Sequence, residues 1–564
     1  MRCGTSGPTG PTVATLGPAG TPDVPCPATT LPRVTGGTPR RKSERFGSLT
    51  PELVVLVGLA CVAGVVLRFV AASPMWLDEA LTANIAELPP SEILDALRSD
   101  GHPPLYYLLS HYWGALVGQD WDAGLRALSG LFSVAAAVAV WFAGRRLGGR
   151  LLAWVAVAVF ALSPLAVRYA TENRMYALVM FEVALGWLLV DDLVRGRRRI
   201  WRVPALAVVA GALLWTHYWG MFLIGATGLV VLARWWWVDR KERNAGGLWV
   251  VGAFAVGGVM FLPWVPSFLQ QLSSTGTPWA EPARPSSSLG VLLGDFSAGR
   301  TGESLIVAAL IGVLVVAALF TRPGGEPVND PTEVVLDLRT VPGVRSEAAV
   351  TLLTLGIGAG LGWLGGTVFQ SRYGAVIVPL AVLVIAYGVV VVRHRVARVV
   401  LLVGLLLGGS VATWFDLVTD RSQMGEVAAA IATDARPGDV VVYCPDQLGP
   451  AGDRALREAY GTSGDVPLLQ VTVPTLEGPK FVDWVDYEER NEAVDPGAVG
   501  AAIVDLAPPD GQIYLVWNSG YRTYEGICEG VLDTLALEYP DVTELVVLDP
   551  GDYFEAAALF RLRR

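Results

Sequence analysis

Lysine is almost missing from this chain, where Lys42, Lys241 and Lys480 stand among many arginines. Histidine and cysteine are nearly as scarce, with 4 and 5 in 564 residues. None of Cys3, Cys26, Cys61, Cys444 and Cys528 has metal-ligand spacing, which excludes a zinc or iron–sulfur framework built on them. No pair of the Asp-x-Asp kind demands a metal either, so a divalent cation stays open and no metal ligand is assigned. The polar tail has no P-loop, dinucleotide fingerprint or nucleophile elbow. Nowhere do ten-residue segments alternate apolar and polar side chains, which excludes a membrane β-barrel. A basic face of the kind that binds nucleic acid is absent as well.

What the chain has is long apolar runs. Mean hydropathy is +0.47 and 52% of residues are hydrophobic, too apolar for an ordinary soluble enzyme. The runs are of the length that crosses about 30 Å of hydrocarbon, so a polytopic α-helical membrane protein is expected. Charge is unevenly spread. From Asp416 onward there are 27 acidic against 10 basic side chains, so the acidic excess belongs to the tail and a basic excess to the rest.

Residues 1–46 are rich in Pro, Gly and Thr and cannot bury enough apolar surface to order themselves, so they are expected to be a disordered cytoplasmic lead. Arg40, Arg41, Lys42 and Arg45 precede the first apolar run and favour a start on the inside. Basic clusters follow at Arg145-Arg146 with Arg150, Arg195 to Arg202, Arg234 to Arg243, Arg322 with Arg345, and Arg393 to Arg398. Each is expected on the cytoplasmic side. Spans at 52–72, 124–144, 151–169, 175–194, 203–216, 218–236, 248–266, 304–321, 349–369, 374–392 and 397–415 satisfy them all. That holds only if Leu105 to Val117, with Tyr106, Tyr107, Tyr112 and Trp113, is an interfacial or re-entrant helix. The expectation is therefore about 11 crossings within a membrane domain, 47–415, whose outer loop 73–123 is long. The plasma membrane is the expected site.

The tail, 416–564, then lies outside. Val440 to Tyr443, Ile513 to Trp517 and Glu544 to Leu548 read as strands, and Gly425 to Thr433 and Ile527 to Leu537 as helices. Such alternation predicts a small extracytoplasmic α/β domain. Cys444 and Cys528 share it, either as a disulfide or as two free thiols.

The polar groups assigned to the outer face form a pattern. Asp78 and Glu79 follow the first span, and His102 opens the interfacial helix that carries Tyr106. Glu172, Arg174 and Tyr176 lie between two spans, His217 sits in the next outer turn, and Arg372 and Tyr373 precede another span. Singly, each has a plain explanation as a solvated loop, a helix-capping pair or a snorkelling cation. Together they bring acids and bases from four connections to one membrane face, where ionisable groups suggest function. A carboxylate there can act as general base toward an acceptor hydroxyl. Arg and His can neutralise a departing phosphate.

Trp76-Leu77-Asp78-Glu79, His102-Pro103-Pro104-Leu105-Tyr106-Tyr107, Glu172-Asn173-Arg174-Met175-Tyr176 and Ser371-Arg372-Tyr373 with Pro379 together resemble the GT-C glycosyltransferases. The resemblance is to the protein O-mannosyltransferase and aminoarabinose-transferase-like group (family 39-like) and covers about residues 50–415. It implies a polyprenyl-phosphate sugar donor, mannose or another hexose or pentose, and inverting transfer to an extracytoplasmic glycan, lipid or protein. Asp78 would be the general base and Glu79 a supporting acid. His102, Arg174 and Arg372 would face the donor phosphate, and Tyr176 and Tyr373 would shape the sugar or lipid pocket. In much of the family the acid near position 172 is an aspartate followed by apolar residues, whereas here it is Glu172-Asn173-Arg174.

Two rivals come from other classes. A transporter or flippase of lipid-linked sugars is expected to carry internal repeats with broken helices in both halves, and no two-fold repeat is seen. A membrane-anchored binding protein gives no reason for acids and bases to gather in the outer loops. The topology is checked by fusing a reporter active only outside the cytoplasm after residue 425. Activity is expected, and silence there breaks the count of crossings.

Overall fold

Backbone amides have no water to bond in lipid, so apolar runs of this length must satisfy them internally as helices. A computed structural model describes residues 50–564 except 198, 242–243, 276–283, 298–302, 322–342, 366–368 and 463. The expected lead at 1–46, and Arg198, Arg243 and Arg322 of the basic clusters, lie outside the described residues. α1 (Pro51–Leu67) leads into three short helices, α2 (Leu77–Glu87), α3 (Pro90–Asp100) and α4 (Leu105–Val117). Next come α5 (Asp122–Gly148), α6 (Arg150–Ala161), α7 (Pro164–Arg168), α8 (Tyr176–Val194), α9 (Arg202–Thr216) and α10 (Gly220–Arg234). The bundle ends with α11 (Gly246–Phe261), α12 (Val265–Ser274), α13 (Pro285–Phe296), α14 (Glu303–Phe320), α15 (Arg345–Leu364), α16 (Val378–Val391) and α17 (Arg395–Val418).

Among the described residues, 6 helical segments are long and apolar enough to cross a membrane unaided, and shorter apolar helices such as α1, α6 and α9 accompany them. Large apolar side chains are exposed on the bundle's outside, including Leu59 and Val62 of α1, Val259 of α11 and Leu407 of α17. In water that would be a liability, but in lipid it is the expected surface. α16 is the reverse, with Val382, Ala386 and Val389 fully buried at the centre. The protein is a multi-pass helical membrane protein.

Several runs differ in detail from expectation. The stretch read as one span at 151–169 is broken between α6 and α7 at Ser163-Pro164. Proline lacks the amide a continuing helix needs and pushes the residue before it out of helical geometry. The run read as 248–266 continues instead, through a short 3₁₀ turn at Leu262–Trp264, to Ser274. The connection at 73–123 carries α2 and α3 in addition to the helix expected at Leu105–Val117. α4 has 13 residues and buries Tyr106 and Tyr107.

Beyond the bundle, α18 (Met424–Asp434), β1 (Val440–Cys444), α19 (Gly449–Tyr460), β2 (Leu469–Thr472), α20 (Tyr487–Glu492) and α21 (Pro496–Leu506) follow. β3 (Ile513–Trp517), α22 (Ile527–Glu538), β4 (Asp541–Val546) and β5 (Ala558–Arg563) complete the chain. The sheet runs β2-β1-β3-β5-β4, with β1 parallel to β2 and β3, and β5 antiparallel to β3 and β4. Side chains alternate across it. Val440, Val442, Ile513 and Leu515 pack with Ile503 of α21 and Val531 of α22. Val441, Tyr443, Tyr514 and Val516 pack toward α18 and α19, in one core with Met75, Ala80 and Ala83. The sheet thus shares a core with α2. The α/β reading of the tail matches this sheet, although β2 and β5 were not foreseen and the strand read at 544–548 begins earlier, at Asp541. Cys444 and Cys528 are disulfide-bonded.

Helices in lipid gain little from the hydrophobic effect and associate by close backbone approach. α14 and α16 do so at Gly388, where a Cβ would lie 2.1 Å from the Leu314 carbonyl oxygen. Gly388→Val is expected to lower the melting temperature in detergent, since overpacking costs about 1–3 kcal/mol. Gly312→Ala, on α14 with nothing within 4 Å of its Cβ, should melt like the parent. Equal melting of the two variants would contradict this packing.

Candidate functional site

α2 begins at Leu77, directly after an extended Trp76. Adjacent residues on a helix point about 100° apart, so Asp78 and Glu79 cannot share partners. The structure separates them completely.

The Asp78 carboxylate is partly exposed. Its Oδ2 lies 2.5 Å from Arg372 Nη1 and 3.6 Å from Arg174 Nη2. Arg372 also sits over the Trp76 ring, 5.8 Å from its centroid. Arg174 is held on every side. Its Nη1 donates to Thr82 Oγ1 at 2.8 Å, to the Asp78 carbonyl at 3.2 Å and to Tyr107 Oη at 3.2 Å. Its Nη2 lies 3.1 Å from His102 Nε2. His102 Nδ1 in turn lies 3.0 Å from Asp100 Oδ2, which also accepts from Tyr107 Oη at 2.8 Å. Asp100 is buried, which alone would raise its pKa, yet His102, Arg174 and Tyr107 hold the carboxyl below its ordinary value. A buried carboxylate on Nδ1 leaves Nε2 to face Arg174.

Beside this charged group stands an aromatic wall. Tyr373 stacks on Trp219 at 5.6 Å and meets the His217 ring at 5.6 Å, and His217 meets Tyr176 at 5.7 Å. His217 Nδ1 accepts from the Trp219 amide at 3.1 Å. Burial, helped by His102 and the two arginines, pushes its imidazole down to about 3, so it stays neutral. Tyr176 Oη, Arg174 Nε and Arg372 Nε are buried donors without a hydrogen-bond partner among the described residues.

Glu79 faces the other way and is sealed from solvent. Arg126 grips it bidentately, Nε to Oε1 at 2.7 Å and Nη2 to Oε2 at 2.8 Å. Oε1 also accepts from the Asn173 amide at 2.8 Å, and Arg421 Nη1 lies 3.6 Å from Oε2. Burial opposes its charge, but Arg126, Arg421 and the Asn173 amide hold the carboxyl below its ordinary value. Glu172 lies behind it, 3.3 Å from Arg168 and 4.0 Å from Arg421. Burial, with Glu79 and Asp78 nearby, lifts its carboxyl above the ordinary value against the pull of Arg421 and Arg168. Tyr106 Oη is 2.8 Å from Ser129 Oγ and donates to Asn173 Oδ1 at 3.1 Å.

The structure therefore gathers Asp78, His102, Arg174, Arg372, Tyr176, His217 and Tyr373 at one place. Glu79, Glu172 and Tyr106 form the support behind it, in contrast to the expectation that Glu79 stands beside Asp78 toward substrate. Asp100, Arg126, Arg421 and Glu555 were missed. Arg126, a lone cation opening an apolar span, carried a signal of its own, as did Asp100, two residues before His102. Arg421 and Glu555 had none, because their partners are hundreds of residues away. Among the described residues, no group of three or more His, Cys, Asp or Glu side chains is placed to hold a metal ion.

The sheet domain reaches into this site. Glu555 Oε1 accepts from the Leu77 amide at 2.9 Å, capping α2, while Ser422 Oγ donates to Oε2 at 2.6 Å. Phe554 meets Trp76 edge-on at 5.1 Å.

No protein-family model matches the chain, and no curated protein matches it. Solved structures do. ArnT from Cupriavidus metallidurans in the apo state is 15% identical with a TM-score of 0.57, over 90% of this chain and 97% of that one. The same protein bound to undecaprenyl phosphate is 15% identical with a TM-score of 0.53, over 91% and 98%. An Archaeoglobus fulgidus oligosaccharyltransferase tethered with an acceptor peptide is 12% identical with a TM-score of 0.47, over 86% and 72%. The fold of this chain is the GT-C fold, as the motifs around Asp78 led one to expect.

Burial pushes the Glu555 carboxyl up to about 8, against the Ser422 and Leu77 hydrogen bonds and with Asp78 and Glu79 adding to the rise. A folded pKa above the unfolded value of about 4.3 contributes stability that is complete below that value. It is lost as pH rises through about 8. Glu555→Gln keeps an acceptor for Leu77 and removes the titration. Its melting temperature should fall less than the parent's between about pH 6 and 9, and parallel curves would remove Glu555 from the pH response.

Proposed function

We propose that this protein is a glycosyltransferase that moves a sugar from a polyprenyl-phosphate donor to an extracytoplasmic acceptor, with inversion. The observation that carries the reading is Asp78 held between Arg174 and Arg372, three side chains from three separate connections meeting within 3.6 Å. Two guanidinium groups with unpaired Nε donors, next to an unpaired tyrosine hydroxyl, suit an anion that arrives from outside. The GT-C fold supports the reading, and ArnT, which shares it, has been captured with undecaprenyl phosphate.

In the mechanism, the donor phosphate lies on Arg372, Arg174 and His102 and competes with Asp78 for Arg372. Donor binding thereby frees the carboxylate. Asp78 takes the proton from the acceptor hydroxyl while the hydroxyl oxygen bonds to the anomeric carbon. The bond from that carbon to the phosphate oxygen breaks, and polyprenyl phosphate leaves with the electron pair. Charge building on the phosphate is met by guanidinium groups already in place. Tyr176, His217 and Tyr373 form the aromatic side of the pocket for the sugar, mannose or another hexose or pentose. Glu79 and Glu172 position the loops and touch no substrate. The chain lies in the plasma membrane with eleven crossings, its lead cytoplasmic and residues 416–564 outside.

Asp78→Asn should reduce transfer by about 10²–10⁴-fold, the usual contribution of a general base, with expression and melting close to the parent. Full activity in that variant would take Asp78 out of the mechanism. Arg372→Ala should weaken binding of undecaprenyl phosphate more than binding of acceptor, measured separately on the purified protein. Equal effects on both would contradict the phosphate assignment.

A further inference from the structure

A cavity of about 680 Å³ lies between the sheet domain and the α2–α3 pair. Its apolar lining is buried, with Leu81 and Ile85 of α2 on one side and Val466, Leu468 and Val482 on the other. The segment that closes it is tied down at both ends. The Lys480 carbonyl accepts from Asn84 Nδ2 at 2.9 Å, and the Trp484 amide donates to the Ser99 carbonyl at 3.3 Å. At the rim, Phe481 is 42% exposed and the Asp465, Glu477 and Asp483 side chains are in solvent.

Two features connect this cavity to Asp78. Asp78, Leu81 and Ile85 are spaced i, i+3 and i+7 and so share one face of α2. At about 1.5 Å per residue these two lining residues lie about 5 and about 10 Å beyond Asp78 along the helix axis, a span a short oligosaccharide covers. Asp100 lines the cavity and also holds His102, the neighbour of Arg174.

Charge separates the two ends. The Asp78 end is cationic, with Arg174 and Arg372. At the cavity end Asp100 has His102, Asp453 has Arg457 at 3.2 Å and Asp483 has Arg490 at 3.9 Å. Asp465 and Glu477 then set the balance at the rim, with Lys480 as the cation of the lining. An excess of carboxylate repels phosphate and carboxylate groups. Free carboxylates accept hydrogen bonds from hydroxyls, and an exposed aromatic ring beside an apolar floor covers the C–H faces of a sugar ring.

We propose that this cavity is the acceptor subsite and that it takes an uncharged oligosaccharide, whose terminal hydroxyl is presented to Asp78. The proposal rests on the transferase reading above and narrows its acceptor from glycan, lipid or protein to a glycan with no anionic group on the part seated in the cavity.

The test uses the full-length protein purified in detergent and saturation-transfer NMR. The probes are mannotriose, galactotriose and arabinotriose, each with and without a phosphate at its reducing end. At least one uncharged trisaccharide is expected to bind, its phosphorylated form about tenfold more weakly. Phe481→Ala should weaken the uncharged form by about tenfold while leaving binding of undecaprenyl phosphate at the parent level. The double variant D465N/E477Q, changed only at exposed positions, should reduce discrimination against phosphate to less than about threefold. The proposal is overturned if no uncharged trisaccharide binds, if the phosphorylated forms bind as well, or if Phe481→Ala binds like the parent. Intact trisaccharide binding in a protein that does not bind undecaprenyl phosphate would sink the transferase reading and leave the cavity as a glycan-binding site.

Discussion

The arrangement depends on one buried carboxylate. Glu79 has no access to solvent, and an ion removed from water is tolerated only when its partners replace nearly all of the lost hydration. Arg126, the Asn173 amide and Arg421 do this. Those partners come from α5, from the turn before α8 and from the connection into the sheet domain, so a single side chain fixes four parts of the chain against one another. Asp78 is the next residue. Once Glu79 is fixed, the rotation of α2 is set, and Asp78 has to face Arg174 and Arg372. The acid expected to assist chemistry is instead the one that aligns Asp78.

The same logic orders the cations. Arg421 donates from Nη1 to the Thr171 carbonyl at 2.9 Å and from Nη2 to Thr171 Oγ1 at 2.7 Å, which holds the turn carrying Glu172, Asn173 and Arg174. Arg168 bridges Glu172 to Asp416 at the end of α17, at 3.3 and 3.4 Å. These arginines have carboxylates to answer and are spent on the scaffold. Arg174 and Arg372 share the carboxylate of Asp78, with Asp100 also acting on Arg174, and both keep unpaired Nε donors. At this one place two such donors and the unpaired Tyr176 hydroxyl stand together beside an aromatic wall. That convergence, more than any one residue, marks the place as a candidate site.

Much of this was legible in the sequence, for reasons that can be named. Runs such as 374–392 declare themselves because lipid imposes length and apolarity. Asp78, Arg174 and Arg372 stand out because charge beside a span needs a cause. β1 and β3 were visible as short continuous apolar runs, as strands buried on both faces are. What stayed hidden was pairing over distance. Nothing near Glu79 in the chain announces Arg421, and nothing near Leu77 announces Glu555. The break at Ser163-Pro164 was readable from proline chemistry but was overridden by the apolar length of the run. β2 and β5 escaped because Gln470 and Arg561 interrupt their apolar character at positions that face polar partners.

The sheet domain is therefore better understood as part of the site than as an appendage that shields it. Glu555 supplies the cap that α2 lacks from its own sequence, since Trp76 has no side chain able to accept from the first free amides. Phe554 packs against the same Trp76 that lies under Arg372. A displacement of the Phe554–Glu555 segment would loosen both the start of α2 and the platform for its arginine partner. On the proposed mechanism this coupling has a consequence for timing. Asp78 is engaged while Arg372 pairs with it and is free to meet an acceptor hydroxyl when a phosphate draws Arg372 away. The carboxylate is then competent only when donor is present, and only in a frame that the sheet domain has closed.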